Sequence, residues 1–380
     1  MRFFNHWLTA AISCGVCVMA GCAGRGPVTT GPTAPVSPAP IPTTAKAKFA
    51  YTANQGASLS GYSVDTSTGV LTALSGFPLT LGANPEVIAA DPQSRFLFVG
   101  DIALSELHVF TIDNSTGALS EIGTSPYATV HEPITIVVDP SGTHVYVASM
   151  GSNSVGGFSL DATGALTPIA GSPFATSGTQ SFGDDVVINA AGTFLYVQDL
   201  ANIYTYSVSA SSGALTLVQT VAAPLSVGGI ALDPHGTYLY AVGPAANSLQ
   251  TYTVNASTGL LRLTGVSPML EHSGAYTISI SPTGLFAYTI ENNNDLVSYA
   301  LDSGVFTPVG SVYAHVYGQR IGIDPSGSFV YVPQACGNCA SSVSNYVNEF
   351  SIGPTGALTQ IPGSPVAAGT TPWGIAFTTQ

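Results

Sequence analysis

The residues best suited to catalysis in this sequence precede one type of repeated apolar strand. His131 and Glu132 are adjacent ahead of one copy of that strand, and Arg320 precedes another copy. A carboxylate can act as a general base, while an imidazole or a guanidinium can polarise a carbonyl group. We therefore predict that Glu132, His131 and Arg320 are the catalytic residues if the protein is an enzyme. The alternative is that they belong to a solvated rim of loops.

Further polar and aromatic residues occupy similar positions ahead of the other copies of this strand. Because loops of this kind would meet at one place, they are expected to line a ligand pocket. The expected ligand-binding residues are Glu86, Asp184, Asp185, Tyr276, Gln319 and Trp373. We predict no metal or other cofactor. The alternative is Ca²⁺, because Asp184 and Asp185 together with Glu132 or Glu86 offer the oxygen ligands that this ion prefers.

Three sequence motifs, which must position these residues, recur seven times each. One is an apolar strand such as Phe96-Leu-Phe-Val, and its copies begin 43–50 residues apart. Another is a β-hairpin such as Tyr62-Ser-Val-Asp-Thr-Ser-Thr-Gly, in which glycine permits the positive φ of the turn. The third is the strand that follows the candidate residues, and most copies end in a turn such as Asp91-Pro92. Four short strands in a period of about 40–50 residues are typical of a propeller blade.

The two ends of the repeated region complement each other. The first period lacks its leading strand, and the last strand of the chain, Trp373–Thr378, is of the missing type. Pairing it beside the strand that begins at Phe49 would complete one blade and close a ring. We therefore predict an all-β fold for residues 49–380, a seven-bladed β-propeller with four-stranded antiparallel blades, closed by pairing of the N- and C-terminal strands.

The N-terminal segment has the features of a targeting sequence. Arg2 precedes an apolar stretch of about a dozen residues, and Met19-Ala-Gly-Cys22 resembles a bacterial lipobox. We predict a lipoprotein signal peptide at residues 1–22 with lipidation of Cys22, and a proline-rich tether at residues 23–48. The alternative is an ordinary cleaved signal peptide. Ala23 after the cysteine favours the outer membrane, so the expected location is the cell envelope, on its periplasmic or surface face.

Two cysteines remain in the repeated region. Cys336 and Cys339 are separated by two residues, and further soft or imidazole ligands at metal-site spacing are absent nearby. In an oxidising compartment such a pair favours a small-loop disulfide, which we predict here.

The repeated sequence motifs resemble those of a known family. Asp-Pro-x-Gly turns followed by Tyr-Val strands, together with Asp-x-x-Thr-Gly-x-Leu hairpins, are similar to those of lactonase-type seven-bladed propellers, which include 6-phosphogluconolactonase-like enzymes. Phe49-Ala-Tyr-Thr-Ala-Asn also resembles the Tyr-Val-Thr-Asn repeats of surface propellers. The resemblance implies the fold and a lactone-hydrolysing or surface-binding activity. The paired histidines of catalytic members have no match in Ser181-Phe-Gly-Asp-Asp, so no catalytic residue is assigned from the family.

Charge narrows the choice of ligand. The chain carries 7 Lys and Arg against 20 Asp and Glu, a formal net charge of −13, which excludes a general nucleic-acid binder. Between Phe49 and the C-terminus the only basic residues are Arg95, Arg262 and Arg320, too few for a phosphorylated sugar lactone. We predict a monomeric, lipid-anchored binding scaffold with a site at the channel mouth for a small neutral ligand, a glycan or a protein. The alternative is a hydrolase of a sugar lactone or another neutral lactone.

Overall fold

The chain forms seven antiparallel sheets. The computed structural model describes residues 45–176, 185–223, 228–243, 246–269, 274–291, 294–313, 320–334 and 345–380, and every regular element in these ranges is a β-strand. Each sheet contains four strand positions in consecutive order, so each sheet is one blade of a propeller. The predicted all-β, seven-bladed fold is confirmed. Within the described part of the chain, no helix has the length and apolarity that a membrane span requires.

The strands fall into four sets by their position in the blade, and blade 1 holds both ends of the chain. The leading strands of blades 1–7 are Pro372–Thr379, Pro85–Ala90, Pro133–Val138, Asp185–Ile188, Ile230–Leu232, Ala275–Ile280 and Gly322–Ile323. The second strands are Ala47–Asn54, Phe96–Asp101, His144–Ser149, Phe194–Gln198, Tyr238–Gly243, Phe286–Glu291 and Phe329–Pro333. The third strands are Ser58–Val64, Glu106–Ile112, Ser154–Leu160, Asn202–Val208, Ala246–Val254, Asp295–Asp302 and Tyr346–Ile352.

The outer strand is continuous in three blades and divided in four. Blades 4, 5 and 6 have the continuous outer strands Leu215–Ala222, Leu261–Pro268 and Val305–Tyr313. The divided outer strands of blades 1, 2, 3 and 7 are Leu71–Ala73 with Leu79–Thr80, Leu119–Glu121 with Tyr127–Ala128, Leu166–Pro168 with Phe174–Ala175, and Leu358–Gln360 with Val366–Ala367. Both parts of each divided strand pair with the same third strand.

The ring is closed in blade 1, as the sequence predicts. Ala47–Asn54 pairs antiparallel with Pro372–Thr379, and Thr52 lies opposite Ile375. The first strand begins two residues ahead of Phe49, where Gln380 N donates to Lys46 O at 2.9 Å. The leading strands contact one another from blade to blade, and Gly322–Ile323 contacts Pro372–Thr379. The leading strands therefore surround a central channel.

The core is divided among the blade interfaces. Seven clusters of buried apolar side chains each join two adjacent blades. A buried tyrosine of the second strand adds a hydrogen bond to the next blade: Tyr146 Oη donates to Gly213 O at 2.7 Å, and Tyr196 Oη donates to Gly259 O at 3.0 Å. Gly259 has a φ of 70°, in the left-handed region that favours glycine. The tyrosine of the second strand and the glycine of the hairpin turn therefore set the spacing of neighbouring blades.

The Asp-Pro turns lie at the far ends of the leading strands. The Asp324 carboxylate accepts from Ser328 N at 2.9 Å and from Phe329 N at 2.8 Å, and Asn189 makes the same two contacts in blade 4. These bonds hold the turn into the second strand. The opposite ends of the leading strands, where the chain comes in from the preceding blade, form the channel mouth.

Candidate ligand site at the channel mouth

Each blade contributes one equivalent residue to the start of the channel. Asp185 lies opposite Gln198 and Thr135 lies opposite Ala148, and paired residues mark the same position in blades 1, 2 and 6. In blades 5 and 7 the position is reached by continuing the register from Ile230 and Gly322. We call these seven residues the mouth layer. In order from blade 1 to blade 7 they are Gly374, Val87, Thr135, Asp185, Gly229, Thr277 and Arg320.

Arg320 bridges the channel within this layer. Its Nη2 atom donates to Ile134 O and to Thr135 Oγ1, both at 2.8 Å, and its Nη1 atom lies 3.4 Å from Asp185 Oδ1. Arg320 belongs to blade 7, whereas its partners belong to blades 3 and 4, on the far side of a seven-membered ring. The guanidinium is therefore fixed over the channel by contacts that no single blade provides.

Asp185 completes this polar cluster. Its Oδ1 atom accepts from Thr135 Oγ1 at 3.2 Å, and its Oδ2 atom accepts from Ile230 N in blade 5 at 3.2 Å. Only 11% of the Asp185 side chain is exposed, against 30% for Arg320. Both oxygens of the Asp185 carboxylate are thus used in bonds to neighbouring blades and to Arg320. The guanidinium is more exposed, so it is the group that a ligand can reach.

Two glycines allow the leading strands to approach each other in the mouth layer. A Cβ atom at Gly374 would lie 2.8 Å from Glu86 O, and one at Gly229 would lie 3.2 Å from Thr277 Cα. A side chain at Gly374 would require the backbone of blade 2 to move, and one at Gly229 would require blade 6 to shift by a few tenths of an ångström. The functional groups of the layer are those of Thr135, Asp185, Thr277 and Arg320.

Glu86 is a buried carboxyl next to the mouth layer. Its Oε1 atom accepts from Gln55 Nε2 at 2.7 Å and from Asn84 Nδ2 at 3.1 Å. Burial raises the pKa of Glu86, and the positive charge of Arg320 acts in the opposite direction. A carboxyl with a raised pKa that interacts electrostatically with a guanidinium is suited to general acid or base chemistry.

Tyr276 and Trp373 occupy the same position as Glu86 in their own blades. Each of the three residues lies at an irregularity of the strand register, directly before a mouth-layer residue. Tyr276 is 38% exposed, and Trp373 is partly buried. Glu86, Tyr276 and Trp373 therefore share one register position beside the mouth layer, and their role in ligand binding stays a prediction. Asp184, Gln319, Cys22, Cys336 and Cys339 lie outside the described residues.

His131 and Glu132 stand apart from the Arg320 cluster. His131 Nδ1 lies 3.8 Å from Glu132 Oε1, and the two side chains are 64% and 36% exposed. Glu132 N donates to Ser105 Oγ at 3.3 Å, and among the described residues no hydrogen bond or ion pair joins either side chain to Arg320. A shared catalytic role for the three residues stays a prediction.

The predicted Ca²⁺ alternative also stays a prediction. Within the described ranges, no group of three His, Cys, Asp or Glu side chains could hold a metal ion. One of the expected ligands, Asp184, is outside those ranges. Asp185 uses both of its carboxylate oxygens for bonds within the protein.

Sequence reasoning missed Thr135 and Gln198. Thr135 is a common residue type in strands, but its register position, equal to those of Asp185 and Arg320, could have identified it. Gln198 lies opposite Asp185 and is fully buried, and neither polar atom of its amide has a hydrogen-bond partner among the described residues. Such a buried amide beside the site is typical of a place that water or a ligand group occupies.

A cavity of about 420 Å³ extends from the mouth layer into the channel. It is lined by the leading strands of blades 4–7, with Asp185 and Arg320 at the mouth and Pro282 near the turns. This volume lies within the range of small-molecule sites, about 300–1,000 Å³.

Comparisons with known proteins agree with this architecture. The family model described as lactonase, 7-bladed β-propeller, matches residues 26–138 and 50–368. A Bacteroides fragilis protein assigned as a 6-phosphogluconolactonase superposes with a TM-score of 0.74 at 18% identity, covering 89% of this chain and 99% of that one. The periplasmic gluconolactonase of Pseudomonas aeruginosa superposes with a TM-score of 0.73 at 18% identity, covering 87% of this chain and 98% of that one.

A third solved structure has a similar fold. A Bacteroides uniformis protein, also assigned as a 6-phosphogluconolactonase, gives a TM-score of 0.74 at 17% identity over 87% of this chain and 99% of that one. No curated protein matches the sequence. At these identities the superpositions establish the fold, whereas the family model spans most of the sequence. The chain belongs to the lactonase family of seven-bladed β-propellers.

Proposed function

We propose that the protein binds a small neutral ligand at the channel mouth, where Arg320 donates hydrogen bonds to a carbonyl or hydroxyl oxygen. One observation carries the proposal: the guanidinium is held over an open cavity by Ile134, Thr135 and Asp185, which come from the opposite side of the ring. A fixed donor loses little conformational entropy when a ligand binds. Trp373 and Tyr276 on the rim support a ligand with a ring or a glycan character.

The charges around Arg320 favour a neutral ligand over a phosphorylated one. Asp185 pairs with the guanidinium, and Glu86 adds a second carboxyl within its field. An anion would therefore meet a cation that is already neutralised, in a chain of net charge −13. Recognition of phosphate usually relies on several free Arg or Lys groups. A neutral lactone or sugar needs only hydrogen-bond donors.

The raised pKa of Glu86 supports a second candidate function, hydrolysis of a neutral lactone. In this reaction ionised Glu86 would take a proton from water while the water oxygen forms a bond to the lactone carbonyl carbon. Arg320 would stabilise the negative charge on the carbonyl oxygen. The ring C–O bond would then break, and the proton would pass from Glu86 to the departing ring oxygen to give a hydroxy acid.

Calorimetric titration and proton-release assays with a sugar lactone and γ-butyrolactone test both candidates. The wild-type chain is expected to give saturable heat with at least one of these lactones, and Arg320→Lys is expected to bind more weakly because its amine lacks the planar fork. Proton release above the spontaneous rate, abolished in Glu86→Gln, would support hydrolysis. Saturable binding without proton release would leave binding alone. Absence of saturable binding and of turnover would contradict both candidates.

We also propose that the protein is held in the cell envelope by a lipid on Cys22. The Met19-Ala-Gly-Cys22 word and the proline-rich residues that follow support this location. The likeness to a periplasmic gluconolactonase is compatible with it. Growth with a labelled fatty acid tests the proposal: the wild-type chain should be labelled, and Cys22→Ser should not. Equal labelling of both chains, or of neither, would contradict it.

A further inference from the structure

The wall of the cavity at Arg320 is formed largely by strand edges. In the described ranges each leading strand is the last strand of its sheet, so one edge pairs with the second strand and the other edge faces the channel. The apolar side chains of these strands pack in the cores between blades, as Ile230, Ile278 and Ile321 do. Backbone N–H and C=O groups are therefore a large part of what a ligand meets in the cavity.

Three polar side chains of the cavity form hydrogen bonds between blades. Asp185 Oδ2 accepts from Ile230 N at 3.2 Å. Ser279 Oγ donates to Ile321 O at 3.0 Å, and the Arg320 guanidinium binds blades 3 and 4. Each of these side chains therefore has a partner within the protein before a ligand binds.

Thr277 is the fourth polar side chain of the cavity. It lines the cavity and is only 3% exposed. Among the described residues, no group forms a hydrogen bond with its Oγ1 atom, and protein does not enclose this atom on all sides. Because the rest of the residue is buried, its hydroxyl group faces the cavity and is available to a ligand.

Thr135 is the natural comparison for Thr277. The two threonines occupy the same register position of the mouth layer, in blades 3 and 6. Thr135 Oγ1 donates to Ile134 O and accepts from Arg320 Nη2, both at 2.8 Å. The same type of side chain therefore holds Arg320 in blade 3 and has a free hydroxyl group in blade 6.

Thr277 also lies close to the polar cluster around Arg320. The point where a Cβ atom of Gly229 would lie is 3.2 Å from Thr277 Cα and 3.4 Å from Asp185 Oδ2. The absence of a side chain at Gly229 thus lets blade 6 approach the carboxylate that pairs with Arg320. A small ligand in the cavity can contact both the guanidinium and the Thr277 hydroxyl group.

We propose that Thr277 is a specificity-determining residue, whose hydroxyl group binds a hydroxyl group on the ring of a lactone that has its carbonyl group at Arg320. The position of the carbonyl group rests on the proposed function, whereas the preference for a hydroxyl group rests on Thr277. A ligand hydroxyl group can accept from Thr277 and donate to a C=O group of a strand edge. A lactone without one would remove water from the Thr277 hydroxyl group without replacing its hydrogen bond.

Titration calorimetry of the wild-type chain with four γ-lactones tests this preference. The probes are γ-butyrolactone and its α-hydroxy, β-hydroxy and α,β-dihydroxy derivatives. At least one hydroxylated probe is expected to bind about fivefold more tightly than γ-butyrolactone, because a neutral hydrogen bond changes Kd by about this factor. Equal or weaker binding of all three hydroxylated probes would overturn the inference.

Two substitutions at Thr277 assign the preference to its hydroxyl group. Thr277→Val removes the oxygen and nearly keeps the volume, so the ratio of Kd between γ-butyrolactone and the preferred hydroxylated probe should fall to about one. Thr277→Ser keeps the hydroxyl group and should keep a ratio above one. A ratio in Thr277→Val equal to that of the wild type would refute the role of Thr277.

Thr289 provides the matched control. It is fully buried in the second strand of the same blade, opposite Ile278, and its Oγ1 atom also has no hydrogen-bond partner among the described residues. It lies outside the lining of the cavity. Thr289→Val should therefore keep the wild-type ratio. An equal loss of the ratio in Thr289→Val and Thr277→Val would show a general disturbance of blade 6 and would contradict a direct contact with the ligand.

The two proposals fail in different ways. Binding of γ-butyrolactone that depends on Arg320, with no preference for a hydroxylated probe, would refute the role of Thr277 and retain the function proposed for the mouth. Absence of binding by every lactone would refute both. A midpoint of urea unfolding measured for each variant shows whether a loss of affinity reflects a loss of folded protein.

Discussion

Polar residues at the two ends of the leading strands differ in whether they bond within their own blade or to other blades. At the turn end, the same kind of oxygen recurs from blade to blade, and each accepts backbone N–H groups of its own blade, as Asp139, Asn189 and Asp324 do. At the mouth, the equivalent residues differ in every neighbouring pair of blades, and Arg320 and Asp185 bond to other blades. The turn end repeats and the mouth does not.

This difference separates structural from functional chemistry. A residue that solves a problem common to all blades, such as closing a turn, is expected in every repeat. A residue that acts on one ligand is needed once, so it must depart from the repeat. Departures that converge in space, such as Arg320, Asp185 and Thr135, are therefore the best candidates for function. The predictions below separate the two classes.

Removal of Arg320 should have the largest effect on function. Charge-assisted hydrogen bonds contribute about 1.5–3 kcal/mol each, and about 1.4 kcal/mol corresponds to tenfold in Kd. Arg320→Leu is therefore expected to weaken lactone binding about 100-fold in a calorimetric titration. It also leaves Asp185 without its cation, so the double variant Arg320→Leu/Asp185→Asn serves as the control. The control should recover thermal stability but not affinity. Affinity within threefold of wild type would contradict the role of Arg320.

Removal of a repeated turn carboxylate should affect stability alone. Asp324→Ala leaves the N–H groups of Ser328 and Phe329 without their acceptor. We expect a loss of about 2 kcal/mol in the free energy of unfolding, measured in urea, with lactone affinity unchanged. Asp324→Asn is the matched control, because Asn189 performs the same task in blade 4. A change in lactone affinity with Asp324→Ala would contradict the assignment of the turn end to stability and of the mouth to ligand binding.

A repeated contact between blades should have a smaller effect. Tyr196→Phe removes the hydrogen bond to Gly259 O and keeps the ring in the core. The expected loss is about 1 kcal/mol in the free energy of unfolding. Phe98 in blade 2 shows that a phenylalanine fits at this position of the second strand. A loss larger than that of Asp324→Ala would indicate that blade spacing limits stability more than turn closure does.

Glu86 and Glu349 provide the finest test, through pH. Burial raises the pKa of both carboxyls. A carboxyl with a higher pKa in the folded chain favours folding when protonated, and this contribution is lost as pH rises from its ordinary pKa through the raised value. Glu86→Gln and Glu349→Gln should each reduce the fall in stability over that window, measured by urea unfolding at several pH values.

Only one of these two variants should affect the ligand. Glu349 Oε1 accepts from Leu71 N at 2.7 Å at the interface of blades 7 and 1, whereas Glu86 lies beside the mouth layer and feels the charge of Arg320. Glu86→Gln is expected to change the pH profile of lactone binding or turnover, and Glu349→Gln should leave it as in the wild type. Identical profiles for Glu86→Gln and the wild type would remove Glu86 from the site.

The fold could be predicted because its causes recur in the sequence. Glycine in the hairpin turn occurs in all seven blades, tyrosine in the second strand in six and Asp-Pro after the leading strand in four, and each residue has one local reason. The closing strand was also visible, since Trp373–Thr378 has the same pattern as the leading strands. Such local motifs can be recognised in the sequence without knowledge of the long-range contacts.

The site could be predicted only in part. Glu86, Asp185 and Arg320 lie at or just before the starts of their leading strands, where the sequence places them, and their functional roles stay predictions. The partners of Arg320 could not be inferred, because they depend on how far a long side chain reaches across the ring. Exposure of His131 and Glu132 is likewise set by the path of their loop, where Glu132 has a φ of 55°.

A crystal structure of the chain with γ-butyrolactone measures the position of the ligand directly. The account predicts that the lactone carbonyl oxygen lies within hydrogen-bond distance of the Arg320 guanidinium. A ligand seated elsewhere, such as beside His131 on the outer rim, with the Arg320 cluster and the cavity vacant, would contradict it.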